Sequence, residues 1–189
     1  MSRETIRAFV CFEIPQELRE ALGAVISAAK GAGERVSWVR PENIHLTVKF
    51  LGEVPRRELA EVSALLREIA GATPRFSISI DRLGAFPNQK RPRVLWAGSS
   101  MTPPVARNLA ARIDKGMVAF GVAAENRPFK PHLTLGRVKQ GGEKTMQALL
   151  QQPFSSYELP CATLVLMRSD LRPGGPVYTP IDKIMLHST

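Results

Sequence analysis

The sequence predicts an α+β fold, and two observations carry that expectation. Strand-like alternation and helical apolar spacing both recur along the 189 residues, but without the regular βαβ rhythm of a doubly wound parallel sheet. The chain also divides into two similar halves that each hold one copy of a short word, His45-Leu46-Thr47-Val48 in the first and His132-Leu133-Thr134-Leu135 in the second. With 44% hydrophobic residues it can bury a substantial core, and with no visible linker it reads as one domain over residues 1–189.

The elements follow in order. Arg7 to Ile14 reads as a strand, and Pro15, whose fixed φ suits a first helical turn, opens a helix to about Lys30. Arg35 to Arg40 resumes extended structure and leads into the first histidine strand. Pro55 begins a second helix, with apolar spacing at Leu59, Val62, Leu65, Leu66 and Ile69 and an end near Gly71. Phe76 to Ile80 alternates strictly and is a strand. In the second half Arg93 to Ala97 reads as a buried strand, and Thr102-Pro103-Pro104 starts a helix with a core stripe of Val105, Leu109, Ile113 and Met117. Pro131 biases Lys130 toward extended backbone just before the second histidine strand. A short helix from Glu143 to Gln151 and strands at 162–167 and 177–184 complete the chain, with Arg172-Pro173-Gly174-Gly175-Pro176 as a connecting turn.

The repeated word is where chemistry concentrates. Side chains on a strand alternate, so His45 shares a face with Thr47, and His132 with Thr134, while Leu46, Val48, Leu133 and Leu135 anchor the opposite faces. An imidazole titrates near neutral pH and a hydroxyl donates to anionic oxygen. Two such strands facing one another supply a general acid, a general base and a grip on phosphate. A lone His-x-Thr is an ordinary packed strand histidine; two copies that consume two of the three histidines point to one shared site. His187 has no such context and reads as a solvated residue at a frayed terminus.

Several function classes lose support. The chain has no His-Glu-x-x-His word, no Asp-rich calcium loop and no phosphate-binding Gly-rich loop, and Gly142-Glu143-Lys144-Thr145 is read as a polar turn entering a helix. Cys11 and Cys161 lie in apolar runs and read as buried free thiols, too few for a structural zinc site by themselves. No apolar run suits a membrane helix, and Ser2-Arg3-Glu4-Thr5 carries no apolar secretion signal, so the expected location is cytoplasmic. The net charge of +9, from 26 basic and 17 acidic side chains, points to a polyanionic partner without by itself selecting nucleic acid. Lys90-Arg91-Pro92-Arg93 and Arg127-Pro128-Phe129-Lys130 lie close to the core motifs, although Lys90 and Arg127 taken singly read as solvated loop residues.

Four segments together, His45-Leu46-Thr47-Val48-Lys49-Phe50-Leu51-Gly52, Arg91-Pro92-Arg93-Val94-Leu95-Trp96, Phe129 to Arg137 and Leu171 to Tyr178, resemble the two-histidine phosphoesterases in order and across nearly the whole chain. The match is specifically to the RNA 2',3'-cyclic phosphodiesterases, also called 2'-5' RNA ligases. Lys130 stands where many members carry arginine, which keeps the charge but loses the bidentate fork. The resemblance implies two pseudo-symmetric lobes, each an antiparallel sheet with outer helices, around a central cleft with one histidine strand per lobe. It also implies hydrolysis of RNA 2',3'-cyclic phosphate ends to 2'-phosphate ends. The missing metal-ligand words and the sufficiency of two imidazoles predict no metal or cofactor, and the expected partner is RNA with such ends, tRNA fragments among them, acted on by a monomer.

In that scheme His132 is the general base toward water and His45 the general acid toward the departing ribose oxygen, while Thr47 and Thr134 donate to nonbridging phosphate oxygens. Arg137 is the extra phosphate-binding cation of the family motif. Simple alternation puts it opposite His132, so it reaches the site only through a twist, bulge or strand end. Lys130, Arg93 and Tyr178 are candidate RNA contacts, Tyr178 by base stacking; Phe50 is a candidate for stacking too, although parity assigns it to the core, and Trp38 and Trp96 read as packing residues. ATP-driven joining has no visible machinery, so any ligation is the hydrolytic step reversed, with a 5'-hydroxyl replacing water. Two rivals stand beside this reading: a noncatalytic RNA-binding protein and a phosphodiesterase for small cyclic nucleotides.

Overall fold

The computed structural model describes residues 4–188. The reading of Ser2 and Arg3 as lacking a secretion signal falls outside that range. Ten strands and four α-helices follow one another as β1 (Thr5–Glu13), α1 (Gln16–Ala29), β2 (Arg35–Trp38), β3 (His45–Pro55), α2 (Leu59–Gly71), β4 (Phe76–Ile80), β5 (Arg82–Phe86), β6 (Val94–Gly98), α3 (Pro104–Met117), β7 (His132–Gln140), α4 (Glu143–Leu150), β8 (Tyr157–Cys161), β9 (Thr163–Arg172) and β10 (Gly175–Met185), among the described residues.

Eight strands form one antiparallel sheet in the order β10-β9-β1-β3-β7-β6-β5, with β2 paired to the later part of β7; β4 and β8 pair separately. The strands β10-β9-β1-β3 make one lobe and β2-β7-β6-β5 the other. They meet at a single residue pair, Leu46 opposite Leu133, the central apolar residues of the two histidine words. Both leucines are fully buried, and each such burial contributes about 1.5–3 kcal/mol. Continuing that antiparallel register one residue each way sets His45 across from Thr134 and Thr47 across from His132.

The helices tie the lobes together. α2 and α3 pack on each other and cover β10 and β3, whereas α1 packs on α4, which covers β5. Thus α1 follows a strand of the first lobe but packs with a helix of the second, and α3 does the reverse. On β1, Ala8, Val10 and Phe12 enter the main core, while Phe9 and Cys11 face a small apolar cluster with Val165 and Met167. That cluster, flanked by Tyr178, lies under the cleft.

Both histidine strands carry a bulge at the same place. In the β1–β3 ladder Cys11 faces Thr47 and Val10 faces Lys49, so Val48 is the extra residue. In the β6–β7 ladder Trp96 faces Thr134 and Leu95 faces Gly136, so Leu135 is the extra residue. An inserted residue shifts the face of everything after it. Lys49 is therefore turned into the interior, and Phe50 out to the cleft, against the parity that assigned Phe50 to the core. Lys49 crosses to α3, where its Nζ donates to Asp114 Oδ1 at 2.6 Å, and it also donates to the Ala123 carbonyl in the segment beyond that helix at 2.7 Å.

Other departures have local causes. Pro55 ends β3 instead of opening a helix, because a 3-10 turn at Arg56–Glu58 intervenes before α2. β5 carries no clear alternation, since Gly84 and Ala85 give it little side chain, and β8 is a five-residue strand in which Pro160, a residue depleted in strands, sits in register opposite Ser77. His187 has an exposed side chain but is not frayed: its backbone N–H donates to Ala70 and Thr73, and its carbonyl accepts from Arg75. Cys11 and Cys161 are buried free thiols, and burial pushes each thiol pKa up to about 12. No helix of the described residues is long and apolar enough to cross a membrane.

Candidate active site

A cavity of about 410 Å³, within the range of small-ligand sites, opens between the lobes beside the histidine strands. β3 contributes His45, Thr47 and Phe50, β7 contributes Thr134 and Arg137, and Tyr178 comes from β10. The bulge at Leu135 is what brings Arg137 to this side: Gly136 turns inward, where an added Cβ would lie 2.8 Å from Val36 and 3.0 Å from Trp38. Only glycine lets β2 approach β7 so closely at that point. Phe50 and Arg137 occupy matching places, two residues beyond each bulge, one apolar and one cationic.

The two imidazoles are held alike. His45 Nδ1 lies 2.8 Å from the Asn43 carbonyl, and His132 Nδ1 lies 2.8 Å from the Lys130 carbonyl. A carbonyl can only accept, so Nδ1–H is the donor and Nε2 is left as the atom for proton transfer. His45 stacks on Phe9 with ring centroids 4.6 Å apart and meets the edge of Tyr178 at 5.1 Å. His132 meets the edge of Phe86 at 5.1 Å. Burial pushes both imidazole pKa values below the ordinary histidine value, the carbonyl bonds oppose that shift, and the charge of Arg137 adds to it at His132.

Among the cavity residues are three arginines, Arg7, Arg40 and Arg137, and no carboxylate. Such a lining favours an anion. Within the described residues neither threonine hydroxyl has a protein hydrogen-bond partner, so both can donate to a ligand. His132 itself does not line this cavity; it shares the strand face of Thr134 and lies toward Phe86. The side chains of Lys130 and Arg93 are exposed and outside the cavity, and Lys130 contributes through its carbonyl. Trp38 lines the cavity as well as packing against Gly136.

Arg7, Phe9, Arg40 and Asn43 are site residues that the motif reading does not single out. Arg7 and Phe9 share a face of β1, a signal that alternation holds. Arg40 and Asn43 come from an irregular segment without one: Asn43 Nδ2 donates to the Pro176 carbonyl at 3.0 Å and Arg40 to that of Gly174 at 2.9 Å, fastening the β9–β10 turn over His45.

The sequence profile of the LigT like phosphoesterases matches residues 12–96 and 99–178, both histidine strands included. The chain belongs to this family. An RNA 2',3'-cyclic phosphodiesterase of Methanothermobacter thermautotrophicus is 33% identical over 184 residues, covering 96% of this chain and 99% of that one. Among solved structures, TT0787 of Thermus thermophilus superposes with a TM-score of 0.80 at 30% identity, covering 97% and 99% of the two chains. E. coli LigT complexed with 3'-AMP does so with a TM-score of 0.76 at 29% identity over the same shares. The α+β bilobal architecture is thus the LigT-like one, and the chain is a phosphoesterase.

Proposed function

We propose that this LigT-like phosphoesterase hydrolyses RNA 2',3'-cyclic phosphate ends to 2'-phosphate ends. The observation that carries the reading is the pair of His-x-Thr words crossing at Leu46 and Leu133, each imidazole fixed through Nδ1, beside an arginine-lined cavity free of carboxylates. The names of the relatives supply the substrate class.

His132 takes the proton of a water as its oxygen bonds to phosphorus; the bond from phosphorus to the 3' oxygen breaks, and His45 delivers its Nε2 proton to that oxygen. Burial favours the neutral form of both imidazoles, and at His132 alone the nearby Arg137 charge adds to it, which supports giving His132 the base role. Thr47, Thr134 and Arg137 hold the nonbridging oxygens as charge redistributes. Joining of RNA ends is the same path reversed, with a 5'-hydroxyl in place of water. No metal is assigned a step. Both lobes of one chain line the cavity, which supports a single chain as the catalytic unit.

The test is incubation of the purified protein with an RNA ending in a 2',3'-cyclic phosphate, followed by end-group analysis. A 2'-phosphate with a free 3'-hydroxyl is expected. No conversion overturns the reading, and a 3'-phosphate product reverses the substrate orientation.

A further inference from the structure

A second concavity lies at the β5 edge of the second lobe, lined by Asp81, by Arg82 and Gly84 of β5, by Lys90 and Arg91 of the following loop, and by Trp96 of β6. Its floor is the indole of Trp96, which lies across Gly84 so closely that an added Cβ would stand 2.4 Å from the ring. The ring is braced by Phe86 at a centroid distance of 5.2 Å. Above it, Asn88 Oδ1 accepts from the backbone N–H groups of Lys90 and Arg91 at 3.1 and 3.0 Å, giving the loop a fixed shape. Lys90 and Arg91 make no ion pair among the described residues, and Arg82 reaches Asp81 only at 3.6 Å.

This groove adjoins the candidate active site. Trp96 pairs with Thr134 on the neighbouring strand, and Phe86, which braces Trp96, also meets His132. A flat aromatic surface beside unpaired cations is the arrangement that holds single-stranded nucleic acid, the base stacked and the phosphates neutralised. The groove's one carboxylate, Asp81, faces Arg82 and leaves Lys90 and Arg91 free. The concavity beside β9 on the other lobe instead has two carboxylates, Glu53 and Asp170, with Asp170 pairing with Arg168 at 2.8 Å and no aromatic ring in its lining.

We propose that the Arg82-Lys90-Arg91-Trp96 groove binds the nucleotides on the 5' side of the cyclic end, so that the enzyme selects oligonucleotide ends over cyclic mononucleotides. The inference rests on the hydrolytic reading above. A terminal cyclic nucleotide fills the central cavity, and the chain behind it crosses Trp96 with its phosphates beside Lys90 and Arg91.

The experiment compares kcat/KM on a short RNA ending in a 2',3'-cyclic phosphate with that on 2',3'-cyclic AMP, for the native chain and for K90Q/R91Q. Both substituted residues are exposed, and turnover of the mononucleotide reports that the variant is folded. The native chain should prefer the oligonucleotide. The variant should lose on the order of tenfold on it. In parallel, anisotropy of the same RNA with a noncyclic 2'-phosphate end is titrated against salt, where the loss of two single-strand phosphate contacts lowers the slope of log K against log salt by about 1.4. Equal native turnover of the two substrates, or an unchanged preference and salt slope in K90Q/R91Q, overturns the groove. Absence of turnover on both substrates overturns the hydrolytic reading, and the binding arm then still decides the groove.

Discussion

At the residue scale, an imidazole can act as acid or base only if one nitrogen is fixed and the other is free. The carbonyls of Asn43 and Lys130 fix Nδ1 of His45 and His132. His45→Ala and His132→Ala should therefore each lower kcat by about a hundredfold to ten-thousandfold in a folded protein. The double variant should be scarcely worse than the worse single one, since groups acting as a unit are not additive; turnover measurements on all three check this. With His132 as the proposed base, its protonation should set the acid limb of the kcat/KM profile, and that limb should fall below the ordinary histidine value of 6.5 because burial and then Arg137 disfavour the imidazolium. Arg137→Gln removes one of the lowering causes. The limb should then move to higher pH, alongside a loss of phosphate binding, whereas Arg137→Lys should leave the limb near its native position. A pH–rate series on the three proteins decides the sign.

At the element scale, the bulges at Val48 and Leu135 make the two histidine strands into site-building elements. Each strand presents a histidine and a threonine by plain alternation, then uses one extra residue to change which side chain comes next. The bulge in β3 also sends Lys49 into the interior, where it holds α3 through Asp114, with Glu125 Oε1 at 3.2 Å completing the group. Removing the ammonium leaves Asp114 and the Ala123 carbonyl short of a donor. Lys49→Met should cost about 1–3 kcal/mol, the usual scale for a buried polar group left unpaired. A lower urea midpoint with an unchanged m-value and retained turnover is expected, since Lys49 faces away from the cavity.

At the scale of the whole molecule, both lobes and the β9–β10 turn close around one cavity, and the chemistry assigned to it belongs to side chains alone. EDTA should leave turnover intact; loss on chelation with recovery on adding one divalent ion would overturn the metal-free scheme. The α+β class, most strand and helix positions and the duplicated His-x-Thr word were legible in the sequence because alternation, 3.6-residue spacing and residue chemistry are local properties. Faces beyond Thr47 and Thr134 were not, because a bulge is defined by the partner strand: nothing in Val48-Lys49-Phe50 announces that β1 skips a residue there. Nor was β5, whose small residues make sense only beneath the Trp96 ring. By itself the sequence determined which residue types are present for acid–base and phosphate chemistry and that they come in two copies. Tertiary structure alone decided that the copies cross at Leu46 and Leu133, that Arg137 joins Thr134 on the cavity side, and that Arg40 and Asn43 close the turn over His45, because long-range pairing sets register, face and distance.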